Sequence, residues 1–149
     1  MEDCIFCEIV AGRSPVSAFY EDDDVLGLMT IGPVNPGHAM VIPRRHAACL
    51  ADLDEETGRR IWTVAQRTAA AIRASGLRCE GINFFLADGA AAAQEVFHVH
   101  LHVFPRFRGD PFRLVADWSV KPPREELDRT AGLIRAAYER LWKGGGPSS

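Results

Sequence analysis

The stretch that decides the fold of this chain reads Gln94-Glu95-Val96-Phe97-His98-Val99-His100-Leu101-His102-Val103-Phe104-Pro105-Arg106. Apolar residues and histidines alternate along it, and successive side chains of a β-strand point to opposite faces of the sheet. The pattern therefore predicts a strand over residues 96–104. One face would carry the apolar side chains toward the core, and the other would carry the histidines: Phe97, Val99, Leu101 and Val103 against His98, His100 and His102.

Three of the chain's five histidines belong to this row, which allows three interpretations. A solvent-exposed polar face is disfavoured, because so many of the histidines share one row. A metal site is open, since two histidines one residue apart can chelate zinc, but no HxHxD pattern supplies a third ligand. We favour covalent catalysis, because neutral imidazole is a nucleophile near pH 7 when an acceptor holds its other nitrogen. A fourth histidine, His38, follows the turn Asn35-Pro36-Gly37 and could lie beside the row.

The rest of the chain predicts an α+β fold with an antiparallel sheet. Short strands are expected at Ala18–Glu21, Val25–Met29, 39–42 and 82–86. One helix is expected to begin after the N-cap Asp54 and end at Gly76, and a second to run from Pro123 to Gly144. Because one long helix interrupts the strands and another follows them, the class is α+β rather than α/β.

Length and composition fit a single domain of ordinary globular type. The chain has 149 residues, and we place the domain at 1–143 and a flexible tail at 144–149. The net charge of −3, without a long run of like charge, disfavours a nucleic-acid polymer as partner. No apolar run is long enough to cross a bilayer and no signal peptide is visible, so we expect no membrane partner and a cytoplasmic location. Four cysteines would stay reduced there.

The run His98-Val99-His100-Leu101-His102-Val103-Phe104 resembles the signature of the histidine-triad family, in which three histidines alternate with apolar residues. Other segments resemble blocks of that family in the same order, at residues 4–10, 20–23, 36–38, 41–46 and 94–98. The resemblance implies an α+β half-barrel of about five antiparallel strands with two helices, whose sheets join in a homodimer.

The resemblance also implies an activity. Family members cleave the α-phosphate of a nucleoside phosphoramidate or dinucleoside polyphosphate through a nucleotidyl-histidine intermediate. His100 matches the histidine that attacks phosphorus, and His102 matches the residue that contacts the phosphate and the leaving group. His98 matches the residue whose backbone carbonyl orients the nucleophile, and His38 matches the fourth histidine of the site.

The family resemblance also implies which residues contact the substrate. Gln94 matches a phosphate-contacting position, whereas Thr30 stands where Asp or Asn often binds the ribose hydroxyls. Ala87 stands where Asn or Gln is usual near the phosphate. An apolar nucleoside pocket is expected, with candidates chosen by position: Phe6, Ile9, Phe19, Leu28, Ile31 and Ile42.

A CxxC pair, Cys4 and Cys7, is a common half of a zinc site. Taken alone, the pair is also compatible with two reduced thiols packed as small hydrophobic side chains. Many bacterial members of the family bind zinc through two such cysteines, a downstream histidine and the first triad histidine. The resemblance therefore implies a structural Zn²⁺ held by Cys4, Cys7, His46 and His98.

Two other function classes stay open at the level of the sequence. One is a nucleotide- or partner-binding module with little catalytic activity, which the residues Thr30 and Ala87 favour. The other is a metal hydrolase that uses the triad directly as metal ligands.

Overall fold

The computed structural model describes residues 3–142, and the chain divides into two compact units, Met1–Phe112 and Arg113–Ser149. The predicted tail at 144–149 lies outside the described residues. The single domain predicted over 1–143 stays a prediction. Each unit is described separately below.

The first unit is built on five strands that form one antiparallel sheet in the order β1-β2-β3-β5-β4. The strands are β1 Ala18–Glu21, β2 Val25–Met29, β3 Ala39–Pro43, β4 Gly81–Phe85 and β5 Leu101–Arg106. The predicted five-stranded antiparallel sheet of an α+β fold is thereby confirmed. The first two strands have the predicted bounds, β3 extends one residue beyond its predicted end, and β4 begins and ends one residue earlier than predicted.

The last strand begins later than the alternation predicts. β5 starts at Leu101, so the prediction of a strand is wrong for residues 96–100. There the backbone leaves the sheet, and the amide of Val99 donates to the carbonyl of Ala47 at 2.8 Å. Phe97 is 50% exposed instead of packing in the core, and His98 is fully buried instead of lying on an open strand face.

Two helices of the first unit lie on opposite faces of the sheet. α2, Glu55–Ala74, begins where predicted, because the side chain of the N-cap Asp54 accepts from the amide of Thr57 at 2.8 Å. Its buried side chains share one hydrophobic cluster with one face of the strands: Ile61, Val64, Ala65 and Ile72 with Val25, Val41, Leu101 and Val103.

The other helix, α1, Ile5–Val10, is not predicted by the sequence analysis. It is only six residues long, too short to be stable alone, so packing must hold it in place. Its residue Phe6 is buried against the opposite face of the sheet, in a cluster with Leu26, Leu28, Met40 and Ile42.

The turn before β3 positions His38. Gly37 has φ +97°, a conformation that costs glycine little, and an added Cβ would lie 2.9 Å from the Leu77 side chain. The buried side chain of Asn35 donates to the carbonyl of Pro105 and to the carboxylate of Asp110, each at 2.9 Å. These bonds tie the turn to the end of β5, so His38 enters β3 at a fixed position.

The second unit contains α3, Arg124–Trp142, which begins one residue after the predicted first position Pro123. The apolar stripe predicted for it is exposed within this unit: Leu127, Leu133, Ile134, Tyr138, Leu141 and Trp142. Over the part of the chain that the structure covers, no helix combines the length and the apolar character that crossing a membrane requires.

Candidate active site and metal cluster

A cavity of about 900 Å³ opens on the face of the sheet that α1 partly covers. Its volume falls in the range of small-molecule sites, roughly 300–1,000 Å³. Two triad histidines line it, His100 and His102. Its apolar wall comes mainly from α1, β2 and β3, in the residues Ile5, Phe6, Ile9, Leu28 and Met40.

His102 is placed in the cavity by the register of the sheet. It pairs with Met40 of β3 on one side and with Phe85 of β4 on the other. Directly paired residues of neighbouring strands project to the same face, so all three side chains line the cavity. Leu101 and Val103 project to the opposite face and pack in the cluster with α2.

The hydrogen bond of His100 fixes which of its nitrogens is free. Its Nδ1 lies 2.8 Å from the backbone carbonyl oxygen of His98. Because a carbonyl only accepts, Nδ1 must carry the proton and donate. In the neutral ring Nε2 then holds an unshared electron pair, which is the state that a nucleophile requires.

A chain of hydrogen bonds fixes in the same way which nitrogens of His38 and His102 carry a proton. The backbone amide of Val34 donates to Nδ1 of His38 at 3.0 Å, so His38 carries its proton on Nε2. That nitrogen donates to Nδ1 of His102 at 2.8 Å. The remaining nitrogen of His102, Nε2, is therefore protonated and available as a donor in the cavity. One residue thus offers an electron pair and its neighbour a proton, with ring centroids 5.0 Å apart.

Burial, followed by the neighbouring charges of His100 and His38, lowers the pKa of His102 to about 4. Burial also lowers the pKa of His38. Both rings are therefore neutral at pH 7, and the proton pattern just described is the one present at that pH.

The low pKa of His102 predicts a loss of stability in acid. The folded chain resists protonation of this ring, whereas the unfolded chain protonates it near pH 6.5. Stability is therefore complete above about pH 6.5 and falls as the pH drops toward 4, by on the order of 3 kcal/mol. We expect His102→Asn to show a smaller loss than the wild type over that window, measured by urea unfolding. Any loss of metal in acid is common to both proteins and cancels in the comparison. Equal slopes would contradict the prediction.

Gln94, the predicted phosphate contact, does not line the cavity. Within the described part of the chain, its buried side chain bonds to three backbone groups: the amide of Gly89 at 2.8 Å and the carbonyls of Ala48 and Val96 at 2.8 and 3.1 Å. It therefore holds the loop that leads into β5. A contact between Gln94 and phosphate stays a prediction.

Four of the six apolar candidates line the cavity, namely Phe6, Ile9, Leu28 and Ile31. The other two do not: Ile42 is buried beneath α1, and Phe19 lies against Gly27 on the sheet. Thr30 and Ala87 both line the cavity, and the amide of Gly32 donates to the Thr30 hydroxyl at 3.3 Å. Sequence reasoning missed Ile5, Val16 and Met40, because apolar residues on short elements carry no signal beyond that of a core.

The four predicted metal ligands lie together, with their ligand atoms within 4.8 Å of one another. His98 Nδ1 is 3.4 Å from Cys4 Sγ and 3.6 Å from Cys7 Sγ. His46 Nδ1 is 3.3 Å from Cys7 Sγ and 3.2 Å from His98 Nδ1. A tetrahedral zinc with bonds of about 2.3 Å to sulfur and 2.05 Å to nitrogen would separate S from N by about 3.6 Å and N from N by about 3.4 Å. The spacing and the donor set therefore fit zinc.

The protonation of the cluster residues is also compatible with metal binding. Nε2 of His98 donates to the carbonyl of Pro43 at 2.8 Å, which leaves the electron pair of Nδ1 directed at the two thiols and His46. Burial and the neighbouring Cys4 raise the pKa of Cys7, so metal binding has to displace a proton from this thiol. His98 belongs to both sites, since its ring is in the cluster and its carbonyl orients His100.

Comparisons with known proteins give matches to one family. The family model described as HIT domain matches residues 11–109. An uncharacterized HIT-like protein of Borreliella burgdorferi is 42% identical over 113 residues, which cover 75% of this chain and 81% of that protein. An Arabidopsis thaliana protein named adenylylsulfatase HINT3 is 32% identical over 93% of this chain and 68% of its own length. A crystal structure of a Zn-bound histidine triad family protein from Mycobacterium smegmatis has a TM-score of 0.72 and 44% identity, covering 94% of this chain and 96% of that one.

Proposed function

Because this chain belongs to the HIT domain family, we propose that it hydrolyses a nucleoside phosphoramidate or a related α-phosphate derivative through a nucleotidyl intermediate on His100. The observation that carries the proposal is the proton pattern in the cavity. An imidazole with a free electron pair lies beside a second imidazole that offers a proton. The His98 carbonyl fixes the state of the first, and His38, itself bound by the Val34 amide, fixes that of the second. A relative whose name describes cleavage of an adenylyl compound supports a reaction of this class.

In the proposed reaction, Nε2 of His100 attacks the α-phosphorus and a P–N bond forms. The bond from phosphorus to the leaving group breaks, and its electron pair stays on the leaving atom, which takes up a proton from solvent water. The His98 carbonyl accepts from Nδ1 and stabilises the positive charge that the ring gains. Water then attacks phosphorus, restores His100 and releases the nucleoside monophosphate.

His102 would serve the phosphate end of the substrate. Its Nε2–H can donate to a phosphate oxygen or to the leaving atom, and His38 holds the ring in the tautomer that makes this possible. Because burial lowers its pKa to about 4, His102 is neutral at pH 7 and acts there as a hydrogen-bond donor, and the proton that the leaving atom takes up comes from solvent water. The nucleoside would lie against the apolar wall formed by α1, β2 and β3.

The charges of the cavity favour a leaving group that carries little negative charge. Among residues 3–142, those that line the cavity include no lysine or arginine, and one of them, Glu95, is a carboxylate. Arg106 follows the triad in sequence but does not line the cavity, and it donates to the Asp110 carboxylate from Nε and Nη2, at 2.6 and 2.9 Å. An amine leaving group suits this environment better than a polyphosphate chain, which usually meets several cations.

The test is a comparison of substrates with capture of the intermediate. We expect kcat/KM for adenosine 5′-phosphoramidate to exceed that for diadenosine tetraphosphate by about tenfold or more. Acid-quenched protein should carry one adenylyl group, located on His100 by mass spectrometry. A higher kcat/KM for diadenosine tetraphosphate would contradict the choice of leaving group. If adenosine monophosphate binds but neither turnover nor an adduct is found, the result would favour a nucleotide-binding module, the class that Thr30 and Ala87 favour. Turnover that a chelator abolishes, without an adduct, would favour a metal hydrolase.

We also propose that the cluster of Cys4, Cys7, His46 and His98 holds zinc, as the tetrahedral spacing and the zinc-bound relative suggest. When bound, the metal would supply a structural crosslink between α1, the loop after β3 and the loop before β5. The homodimer with joined sheets stays a prediction from the family resemblance, and the cytoplasmic location stays a prediction from the sequence.

A further inference from the structure

α1 contributes to both sites of the first unit. Its N-cap Cys4 and its residue Cys7 belong to the metal cluster. Its residues Ile5, Phe6 and Ile9 line the cavity. A helix of six residues has little stability of its own, so its position depends on what its side chains contact. Whatever fixes the two cysteines therefore also fixes this wall of the cavity.

Phe6 is the residue of α1 that contacts both a metal ligand and the proposed nucleophile. Its ring centroid lies 5.6 Å from that of His98 and 5.2 Å from that of His100, edge to face in both cases. The side chain is buried, so the contacts are closely packed. The His98 carbonyl fixes one nitrogen of His100, and the Phe6 ring limits how far the imidazole can rotate about that bond.

From this geometry we propose that Phe6 is a positioning residue for His100, and that a metal ion in the cluster of Cys4, Cys7, His46 and His98 strengthens nucleotide binding by holding α1 against the cavity. The inference rests on the proposed function, since it requires that the cavity bind a nucleotide. Coupling between two sites is reciprocal, so a nucleotide must strengthen zinc binding by the same factor. Couplings of this kind usually amount to about 5- to 100-fold in affinity.

The first experiment measures how zinc and a nucleotide change each other's affinity, with adenosine monophosphate as the nucleotide probe. Calorimetry gives the Kd of adenosine monophosphate for the zinc-loaded and the metal-free protein. Competition with a chromophoric chelator gives the zinc affinity in the presence and in the absence of adenosine monophosphate. We expect metal to tighten nucleotide binding at least fivefold and nucleotide to tighten zinc binding equally. Affinities that agree within twofold would overturn the inference and leave the proposed function intact. No binding in either state would contradict both.

Two substitutions separate the metal from the wall that it holds. His46→Asn removes a ligand that does not line the cavity. We expect it to weaken adenosine monophosphate binding as much as removal of zinc does. An unchanged nucleotide affinity, with zinc absent, would overturn the coupling.

Phe6→Leu tests the positioning role. We expect the variant to keep one zinc per chain, to lose the coupling to below twofold, and to lower kcat about tenfold while KM changes less. Ile42→Val is the matched control, because Ile42 is buried in the same cluster but does not line the cavity. The control should keep both the coupling and kcat. A Phe6→Leu protein with full kcat and full coupling would overturn the role of this ring.

Discussion

Replacing His100 with asparagine is expected to lower kcat for adenosine 5′-phosphoramidate by at least about 10⁴-fold. The reason is chemical: the amide nitrogen of asparagine has no electron pair that can attack phosphorus. The affinity for adenosine monophosphate should change by no more than about threefold, since the apolar wall and His102 remain in place. Kinetics and calorimetry on the same preparation measure the two quantities.

His46→Asn is the control for this result, because it also replaces a histidine by asparagine but outside the cavity. At saturating substrate the control should still yield the nucleotidyl adduct, whereas His100→Asn should yield none. Turnover by His100→Asn within tenfold of the wild type would eliminate the covalent mechanism. An adduct on another residue would reassign the nucleophile.

Replacing Cys7 with serine is expected to remove the metal and to lower Tm by about 10 °C. Cys7 Sγ lies within 3.3–3.6 Å of the ligand nitrogens of His46 and His98, and a serine hydroxyl is a poor zinc ligand that leaves the site incomplete. Without the metal, α1 would lose its anchor to both loops. Elemental analysis should find one zinc per wild-type chain and less than a tenth of that in the variant.

Cys49→Ser provides the matched control. Cys49 is partly exposed and its sulfur contacts only the Asp52 carboxylate among the contacts described, at 3.2 Å. We expect it to keep its zinc and to change Tm by no more than about 2 °C. Wild-type protein that contains no zinc after purification in zinc-supplemented medium would contradict the proposed metal site.

The sheet and the long helix could be predicted from the sequence because local signals mark them clearly. The strands β1 and β2 flank the turn Asp22-Asp23-Asp24, and α2 begins at an aspartate N-cap followed by a regular apolar stripe. α1 could not be predicted in this way, since six residues are too few for a helical period to stand out.

The start of β5 was predicted wrongly for a physical reason. Alternation from Val96 to Phe104 is the pattern of one strand, but tertiary contacts decide the backbone before Leu101. The amide of Val99 donates to the carbonyl of Ala47 rather than to a neighbouring strand, and His98 is buried with its ring bonded to Pro43 and directed at the cysteines. The grouping of the metal ligands was predictable because the family resemblance supplied it. The hydrogen bonds of Gln94 to the backbone were not predictable, because the sequence does not show which backbone groups a side chain contacts.

His98 serves its two neighbours through different parts of one residue. Its imidazole is directed at the cysteines, whereas its main-chain oxygen accepts from His100. Every amino acid has that oxygen, so a substitution at position 98 can remove the metal ligand and still leave a backbone carbonyl to accept from His100. Selection on the chemistry should therefore tolerate more amino acids at position 98 than at 100 or 102, limited mainly by what a fully enclosed space can accommodate.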